Sequence, residues 1–245
     1  MNVLEVRGLT KRYPAFTLNG VSFTVPEGAV MGFIGRNGAG KSTTLKSILG
    51  MVHPDAGEIR VFGMDYAANE RVIRRELGVV LGGIDFYPKK KLRVIAEVTR
   101  RFYDNWDEDK YRHYLNLFAI DEEKRVDQLS SGMKVKYMIA LALSHNARLL
   151  ILDEPTSGLD PVSRDELTEL LRRLVADGTR SVLFSTHITS DLEKCATHIA
   201  FIKDGEMQYT GSLGDFRDHY KDVGATLEDI IVHVERRPLD EDAII

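Results

Sequence analysis

The stretch Gly35-Arg36-Asn37-Gly38-Ala39-Gly40-Lys41-Ser42 fits the pattern G-x-x-x-x-G-K-[ST]. It follows the apolar run Ala29 to Ile34, which predicts a strand, and it opens a predicted helix from Lys41 to Leu49. This strand–loop–helix context is the one in which the motif binds phosphate, because backbone N–H groups and the helix N-terminus attract an anion. Its context therefore favours a phosphate-binding loop over an ordinary glycine-rich turn.

Each part of this loop has a predicted role toward a nucleoside triphosphate. Lys41 would meet the β- and γ-phosphates, and the Ser42 hydroxyl would ligate magnesium. The residues predicted to contact the nucleotide here are Gly35, Arg36, Asn37, Gly38, Ala39, Gly40, Lys41, Ser42 and Thr43.

A second motif ends in two acidic residues. Leu149-Leu150-Ile151-Leu152 predicts a buried strand, and Asp153 and Glu154 follow it directly. Ligands bind at the carboxyl ends of parallel strands, although a solvated strand end is the simpler alternative. With a phosphate loop in the same chain, Asp153 can hold magnesium through a water molecule, and Glu154 can orient and deprotonate the attacking water.

A third motif, Leu129-Ser130-Ser131-Gly132-Met133, precedes a predicted helix. Its free N–H groups suit an anion, although a plain helix cap would have the same composition. With this motif in place, the chain resembles the ABC ATPase family over roughly residues 3 to 235, and the family's signature is LSGGQ. The resemblance implies that Ser130, Ser131 and Gly132 of one subunit close over the ATP bound to Lys41 of another.

The resemblance assigns three further roles. Tyr13 matches the aromatic residue that stacks on adenine, Asp160 ends the loop Ser157-Gly158-Leu159-Asp160 after the catalytic acid, and His187 matches the switch histidine that contacts the γ-phosphate. Each has a structural alternative. Tyr13 could pack on a strand, His187 could be a strand-end residue, and Asp160 could be a helix cap as well as a loop residue. The implied catalytic residues are Glu154, His187 and Lys41.

Two positions depart from the family pattern. The family has a glutamine after the predicted strand Leu77 to Leu81, where it touches magnesium and the membrane subunit, and this chain has Gly82. The signature has Ser131 in place of glycine and Met133 in place of glutamine. These changes imply altered contacts to the partner's nucleotide, with hydrolysis that is slower or differently coupled.

Alternating strand and helix patterns between residues 149 and 202 predict a parallel sheet flanked by helices. The resemblance implies an α/β fold, a P-loop NTPase of ABC type, whose mixed core sheet is joined by an N-terminal antiparallel β subdomain and a helical subdomain. We expect an ATPase domain over residues 1–215, with the helical subdomain inserted at about 83–146, and a short C-terminal extension over residues 216–245.

The amino-acid composition limits which kinds of partner and which compartment we expect for the chain. With 33 basic and 37 acidic residues, the net charge is −4, which disfavours nucleic acid as a ligand. The single cysteine, Cys195, excludes an internal disulfide and fits a reducing cytoplasm. No run approaches the ~20 apolar residues of a membrane span, and the N-terminus lacks a signal-peptide pattern. Any membrane role is therefore expected to need a partner.

The resemblance implies a transporter ATPase at the cytoplasmic face of the membrane. It would use ATP and Mg²⁺ and work with a separate transmembrane permease and a second ABC ATPase subunit, identical or different. Gly82, the signature and the stretch at 225–230 resemble bacterial single-domain exporters of antibiotics or peptides. The alternative is a soluble ABC ATPase that acts on a cytosolic protein or nucleic-acid machine. Glu154 and His187 together disfavour a non-hydrolysing regulator.

Overall fold

The computed structural model describes residues 1–81, 87–224 and 226–235. Its strands are β1 (Asn2–Tyr13), β2 (Phe16–Pro26), β3 (Val30–Ile34), β4 (Ala56–Val61), β5 (Met64–Asp65), β6 (Leu77–Leu81), β7 (Leu149–Asp153), β8 (Ser181–Thr186), β9 (His198–Lys203) and β10 (Glu206–Ser212). Its helices are α1 (Lys41–Ile48), α2 (Tyr66–Arg74), α3 (Leu92–Arg100), α4 (Glu108–Leu117), α5 (Ser131–Ser144), α6 (Pro161–Leu174), α7 (Thr189–Cys195), α8 (Leu213–His219) and α9 (Leu227–Glu235), with a 3-10 turn at Val126–Gln128.

An antiparallel sheet in the order β2-β1-β4-β5 forms the N-terminal part. The sequence patterns predict strands at residues 2–7 and 19–25, and both strands are longer in the structure because β1 and β2 meet in a tight hairpin. Their register shifts between Val6 and Leu9, where Gly8 has a φ of 60°. This irregularity lets the hairpin continue to the pair Tyr13 and Phe16.

The second sheet has the order β10-β9-β3-β8-β7-β6. Strands β6, β7, β8, β3 and β9 are parallel, whereas β10 returns antiparallel to β9. The predicted mixed core sheet is therefore confirmed. Because parallel strands end at one edge, the residues that follow β3, β7 and β8 lie together there. These are the phosphate-binding loop, Glu154 and His187.

Apolar side chains fill the space on both faces of the second sheet. One cluster joins it to the antiparallel sheet and includes Leu18, Phe33 and Leu183. The other packs it against α5, α6 and α7 and includes Phe184 and Leu171. Burial on both faces explains why β3, β7 and β8 are almost continuously apolar in sequence.

Helices α3, α4 and α5 lie between β6 and β7 in the chain, where a helical subdomain is expected at about 83–146. They enclose a third cluster that contains Leu92, Tyr111 and Tyr137, and the Tyr137 hydroxyl donates to the Leu92 carbonyl over 2.7 Å. The C-terminal half of α5 leaves this cluster and packs on the core sheet, where Ala142 faces Gly78 of β6.

The C-terminal helices pack against the core. Phe216, Leu227 and Ile230 are buried in the cluster that covers α6 and α7, and the Lys203 ammonium donates to the Val234 carbonyl. Within residues 1–81, 87–224 and 226–235, no helix has both the length and the apolar character needed to cross a membrane.

Candidate active site

Two glycines give the phosphate-binding loop its shape. Gly38 and Gly40 have φ angles of 87° and 111°, which are left-handed values that residues with a Cβ rarely adopt. A Cβ on Gly35 would lie 2.3 Å from the backbone oxygen of Ile202. The motif therefore needs glycine at these positions to turn tightly and to pass close to β9.

The side chain of Lys41 is 5% exposed and lies within this loop. Its Nζ donates to the carbonyl oxygens of Gly35 over 2.7 Å and Arg36 over 3.3 Å. It also lies 3.2 Å from Oε1 of Glu154. A buried ammonium needs such partners because removing it from water unpaired is costly. The loop thus holds one positive charge at the centre of the site.

Ser42 and Asp153 meet at the end of β7. The Ser42 hydroxyl donates to Oδ1 of Asp153 over 3.3 Å, and the hydroxyl of Ser185 donates to the same oxygen over 2.6 Å. Ser185 in turn accepts from the backbone N–H of Glu154 over 2.9 Å. Ser185 is not among the site residues predicted from the sequence. Its signal is one polar residue near the end of an apolar strand, and it is paired with Asp153 in register.

Glu154 and His187 are in direct contact. His187 Nδ1 lies 2.8 Å from Oε2 of Glu154. Glu154 has a φ of 48°, an uncommon conformation for a residue other than glycine and one that concentrates at functional sites. Its Oε1 atom is buried and accepts no hydrogen bond from the described residues, although Lys41 approaches it. The carboxylate is thus held between two nitrogen groups.

A cavity of about 490 Å³ opens in front of these groups. Its lining residues are Ala15, Phe16, Arg36, Asn37, Gly38, Gly40, Lys41, Ser42, Thr43 and Glu154. They include most of the predicted nucleotide contacts and the predicted base. The volume lies within the usual range of small-molecule sites.

The aromatic residue that lines this cavity is Phe16. Tyr13 lies opposite it in the hairpin, is 41% exposed, and is absent from the residues that line the cavity as described. The end of the Phe16 ring would lie 3.0 Å from a Cβ on Gly40, so this ring packs directly on the phosphate loop. Phe16 is not among the site residues predicted from the sequence, although it is the first residue of β2 after the turn.

The signature residues and Asp160 occupy two adjacent helix N-termini. Ser130 caps α5 by accepting from the Met133 N–H over 3.2 Å, and Ser130 and Ser131 are exposed. Asp160 caps α6, and its Oδ2 accepts from the Ser163 hydroxyl over 2.6 Å. Hydrogen bonds from Ser163 hold the pKa of the Asp160 carboxyl below its usual range.

These two N-termini touch each other and do not line the cavity of the same subunit. A Cβ on Gly132 would lie 3.2 Å from the Ser163 hydroxyl oxygen, so the first turns of α5 and α6 are in close contact. Gly82, the position at which the family has glutamine, lies outside the described residues.

Comparison with known proteins identifies the family to which the chain is similar. The family described as ABC transporter matches residues 18–157. The chain is 32% identical over 208 residues to the bacitracin transport ATP-binding protein BcrA of Bacillus licheniformis, covering 84% of this chain and 68% of that protein. It is 36% identical over 208 residues to the Nod factor export ATP-binding protein I of Burkholderia lata, covering 82% of this chain and 68% of that protein.

A solved structure described as the ATP-binding subunit of an ABC transporter has the same fold. It superimposes with a TM-score of 0.84 at 30% identity and covers 95% of this chain and 99% of that chain. The family match, the two relatives and this structure agree with the phosphate loop, the paired acidic residues and the signature. The chain therefore belongs to the ABC transporter family, as an ATP-binding subunit with ATPase activity.

Proposed function

We propose that this chain binds ATP and Mg²⁺ in the cavity at the phosphate loop, activates water with Glu154, and drives export through a separate membrane subunit. One observation carries the proposal: Lys41, Glu154 and His187 form a continuous set of contacts of 3.2 Å and 2.8 Å at the edge of the parallel sheet. A phosphate-binding cation, a carboxylate base and a switchable donor are the groups that phosphoryl transfer to water needs.

The triphosphate fits the loop by charge and by hydrogen bonding. The N-terminus of α1 and the backbone N–H groups of the loop favour an anion, and Lys41 supplies the positive charge. Mg²⁺ fits the neighbouring pair Ser42 and Asp153, because a hydroxyl and a carboxylate oxygen 3.3 Å apart are the oxygen donors this ion prefers. When bound there, the ion would neutralise charge on the phosphate oxygens.

Hydrolysis is an attack of water on the γ-phosphorus. The water oxygen bonds to phosphorus, the bond from phosphorus to the oxygen bridging the β- and γ-phosphates breaks, and ADP keeps that oxygen and its electron pair. Glu154 accepts the proton that the water loses. His187, released from Glu154, donates a hydrogen bond to the γ-phosphate and so reports that ATP is present.

One subunit supplies only part of the surroundings of ATP. Ser130 and Ser131 are exposed at the N-terminus of α5. A helix N-terminus attracts an anion, but this one does not line the cavity at the phosphate loop of its own subunit. Two subunits arranged head to tail would bring this surface over the partner's phosphate loop. ATP would then hold the dimer closed, and hydrolysis would weaken it.

A second cavity, of about 470 Å³, is a candidate docking site for the membrane subunit. Its lining residues are Arg71, Arg74, Arg75, Arg101, Phe102, Tyr103 and Asp104. Phe102 is 72% exposed, and Arg71 has no ion-pair partner among the residues described. An acidic segment with an apolar side chain would complement both the charge and the exposed ring.

Export, rather than another use of ATP, is supported by the relatives, which are named for bacitracin transport and Nod factor export. Such a subunit would act at the cytoplasmic face of the membrane. The rival function is a soluble ABC ATPase that acts on a cytosolic protein or nucleic-acid machine. The net charge of −4 disfavours the nucleic-acid form of this rival.

The test is purification of the chain from its native membranes in mild detergent with ATP and Mg²⁺, followed by mass spectrometry. We expect one multi-span membrane protein in stoichiometric amount. The variant Arg71→Glu should lose it, whereas Arg112→Glu, which changes an exposed arginine on α4, should retain it. Recovery of a complex without any membrane protein would contradict transport and leave the ATPase in place.

A further inference from the structure

The buried carboxylate of Asp191 has no role in the mechanism above. Asp191 lies in α7, four residues after His187, and is 1% exposed. Its nearest cationic contact is long, because Nε of Arg164 is 3.9 Å from Oδ1. Its Oδ2 atom has no hydrogen-bond partner among the described residues. A charge buried this way is costly to stability, so its presence calls for another explanation.

Two more unsatisfied polar atoms surround this carboxylate. The hydroxyl of Thr156 is fully buried and faces Asp191, and the described residues offer it no hydrogen bond of good geometry. Nε of Arg164 is also buried and has no hydrogen-bond partner in the described part of the chain. Burial raises the pKa of the Asp191 carboxyl, whereas Thr156 and Arg164 act in the opposite direction. Three chain segments therefore contribute polar atoms to one buried cluster.

Each of these segments carries part of the candidate active site. Thr156 is two residues after Glu154, Asp191 is four residues after His187, and Arg164 is four residues after Asp160. At the surface of the site, Glu154 and His187 touch at 2.8 Å. The same two segments also approach each other where burial raises the pKa of the Asp191 carboxyl and Thr156 lowers it.

We propose that Asp191 is a positioning residue for ATP hydrolysis, which holds the segments of Glu154 and His187 in register and ties them to the first turn of α6. This inference rests on the proposed function, since it assigns a cause to the geometry of that site. Asp191 is not among the described residues that line the cavity at the phosphate loop. It acts through Thr156 on the segment of Glu154 and through Arg164 on the helix that Asp160 caps.

A second contact between α6 and α7 allows a test of the simpler explanation, in which Asp191 only joins these two helices. Lys194 of α7 already forms an ion pair with Asp165 of α6 at 2.5 Å, and both side chains are more than half exposed. An exposed pair contributes little to stability, and neither of its residues lines the cavity at the phosphate loop. Loss of the Asp165 charge should therefore leave catalysis as it is.

The experiment compares steady-state ATP hydrolysis and thermal unfolding of the complete chain and its variants Asp191→Asn, Thr156→Val, Arg164→Gln, Asp165→Asn and Glu154→Gln. We expect Asp191→Asn and Thr156→Val to lower kcat by about tenfold with KM for ATP changed less than about twofold, because misplacement of reacting groups affects the chemical step. Asp165→Asn should match the original protein in both constants.

A double variant tests whether the residues act together. The combined loss for Arg164→Gln with Asp191→Asn should be smaller than the product of the two single losses, since both changes break one connection. If Asp191→Asn fails to fold, Thr156→Val takes its place, because valine keeps the shape and removes only the hydroxyl.

The inference is wrong if Asp191→Asn and Thr156→Val keep the wild-type kcat. It is also wrong if Asp165→Asn lowers kcat as much as those two variants do. Fully multiplicative losses in the double variant would overturn it too. The two proposals fail differently. If Glu154→Gln retains turnover, the proposed function is wrong; if Glu154→Gln is inactive and the Asp191 variant is normal, only this inference is wrong.

Discussion

Lys41 and Glu154 form an ion pair in which Nζ lies 3.2 Å from Oε1. The group proposed to bind the phosphates and the group proposed to activate water thus neutralise each other in this conformation. A triphosphate has more negative charge than one carboxylate, so it should draw Lys41 away from Glu154. ATP would then free its own base, which links nucleotide binding to catalytic competence.

Replacement of Glu154 by glutamine tests this relationship. The neutral amide cannot accept the proton, so turnover should fall by a factor of about 10² to 10⁴, the range typical of a lost general base. ATP should bind as well as before or a few fold more tightly, because Lys41 no longer has to leave a carboxylate. Phosphate release and equilibrium ATP binding measure the two effects.

Glu123→Gln is the matched control, since Glu123 is an exposed carboxylate in a surface ion pair with Lys91. It should change neither quantity. Weaker ATP binding in Glu154→Gln than in this control would contradict the competition between Glu154 and the triphosphate.

The two aromatic residues of the first hairpin should differ in what they contribute to binding. Phe16 packs on the phosphate loop, and Tyr13 presents an exposed ring. We expect Tyr13→Ala to weaken ATP binding by about tenfold, as loss of base stacking does, and to leave the binding of tripolyphosphate unchanged. Phe16→Ala should weaken the binding of both ATP and tripolyphosphate, because the phosphate loop loses a packing partner.

Calorimetric titration of each variant with ATP and with tripolyphosphate distinguishes the roles. If Phe16→Ala affects ATP alone, then Phe16 contacts the base, and the role that the family pattern gives to Tyr13 is wrong for this chain.

The sequence predicted the parts of the site that depend on local pattern. A glycine-rich loop between a strand and a helix, and acids at the end of an apolar strand, are recognisable without a structure because each occupies one continuous segment. The helix cap at Asp160 followed from the proline beside it. The alternation of strand and helix predicted the parallel strands of the core sheet, and the family resemblance implied that the sheet is mixed.

Contacts between distant segments could not be predicted in this way. Ser185 holds Asp153 only because β7 and β8 pair in that register, and a shift of one residue would point it away. Phe16 reaches the phosphate loop because the hairpin of β1 and β2 continues to the pair Tyr13 and Phe16. The burial of Asp191 depends on how α6 and α7 pack, which the sequence pattern of either helix leaves open.

His145 should make stability depend on pH. Its ring is buried and stacked on Tyr103 with ring centroids 3.7 Å apart, and its Nδ1–H donates to the carbonyl of Arg75 over 3.3 Å. Burial lowers its pKa from 6.5 to about 4, against a smaller raising effect of that hydrogen bond. The folded state therefore favours the neutral ring. The contribution of His145 to the stability of the fold is complete above pH 6.5, the pKa in the unfolded state, and it is lost as the pH falls from 6.5 to about 4.

Urea unfolding at pH 7.5 and pH 5 measures this effect. Linkage predicts that His145 lowers the free energy of unfolding by about 2 kcal/mol between these values. The variant His145→Phe keeps an aromatic ring beside Tyr103 and cannot titrate. Its free energy of unfolding should therefore fall by about 2 kcal/mol less than that of the original protein between pH 7.5 and pH 5. Equal losses in the two proteins would contradict a depressed pKa for this histidine.

Cys195 reports on the stability of α7. It is the only cysteine in the chain and is buried, and its thiol donates to the carbonyl of Asp191 over 3.2 Å. Burial raises the pKa of this thiol to about 12, so almost none of it is thiolate near neutral pH. A thiol reagent such as 5,5′-dithiobis(2-nitrobenzoate) should leave the folded protein unmodified and react with one equivalent in denaturant.

Any slow reaction in the native state must pass through an opening of α7, because the thiolate forms only after Cys195 reaches water. ATP with Mg²⁺ should slow that reaction if ligand binding at the neighbouring His187 stabilises the closed helix. Cys195→Ala, which should not react at all, gives the baseline. Rapid modification of the folded protein at pH 7.5 would show that α7 does not hold the thiol in the buried position described.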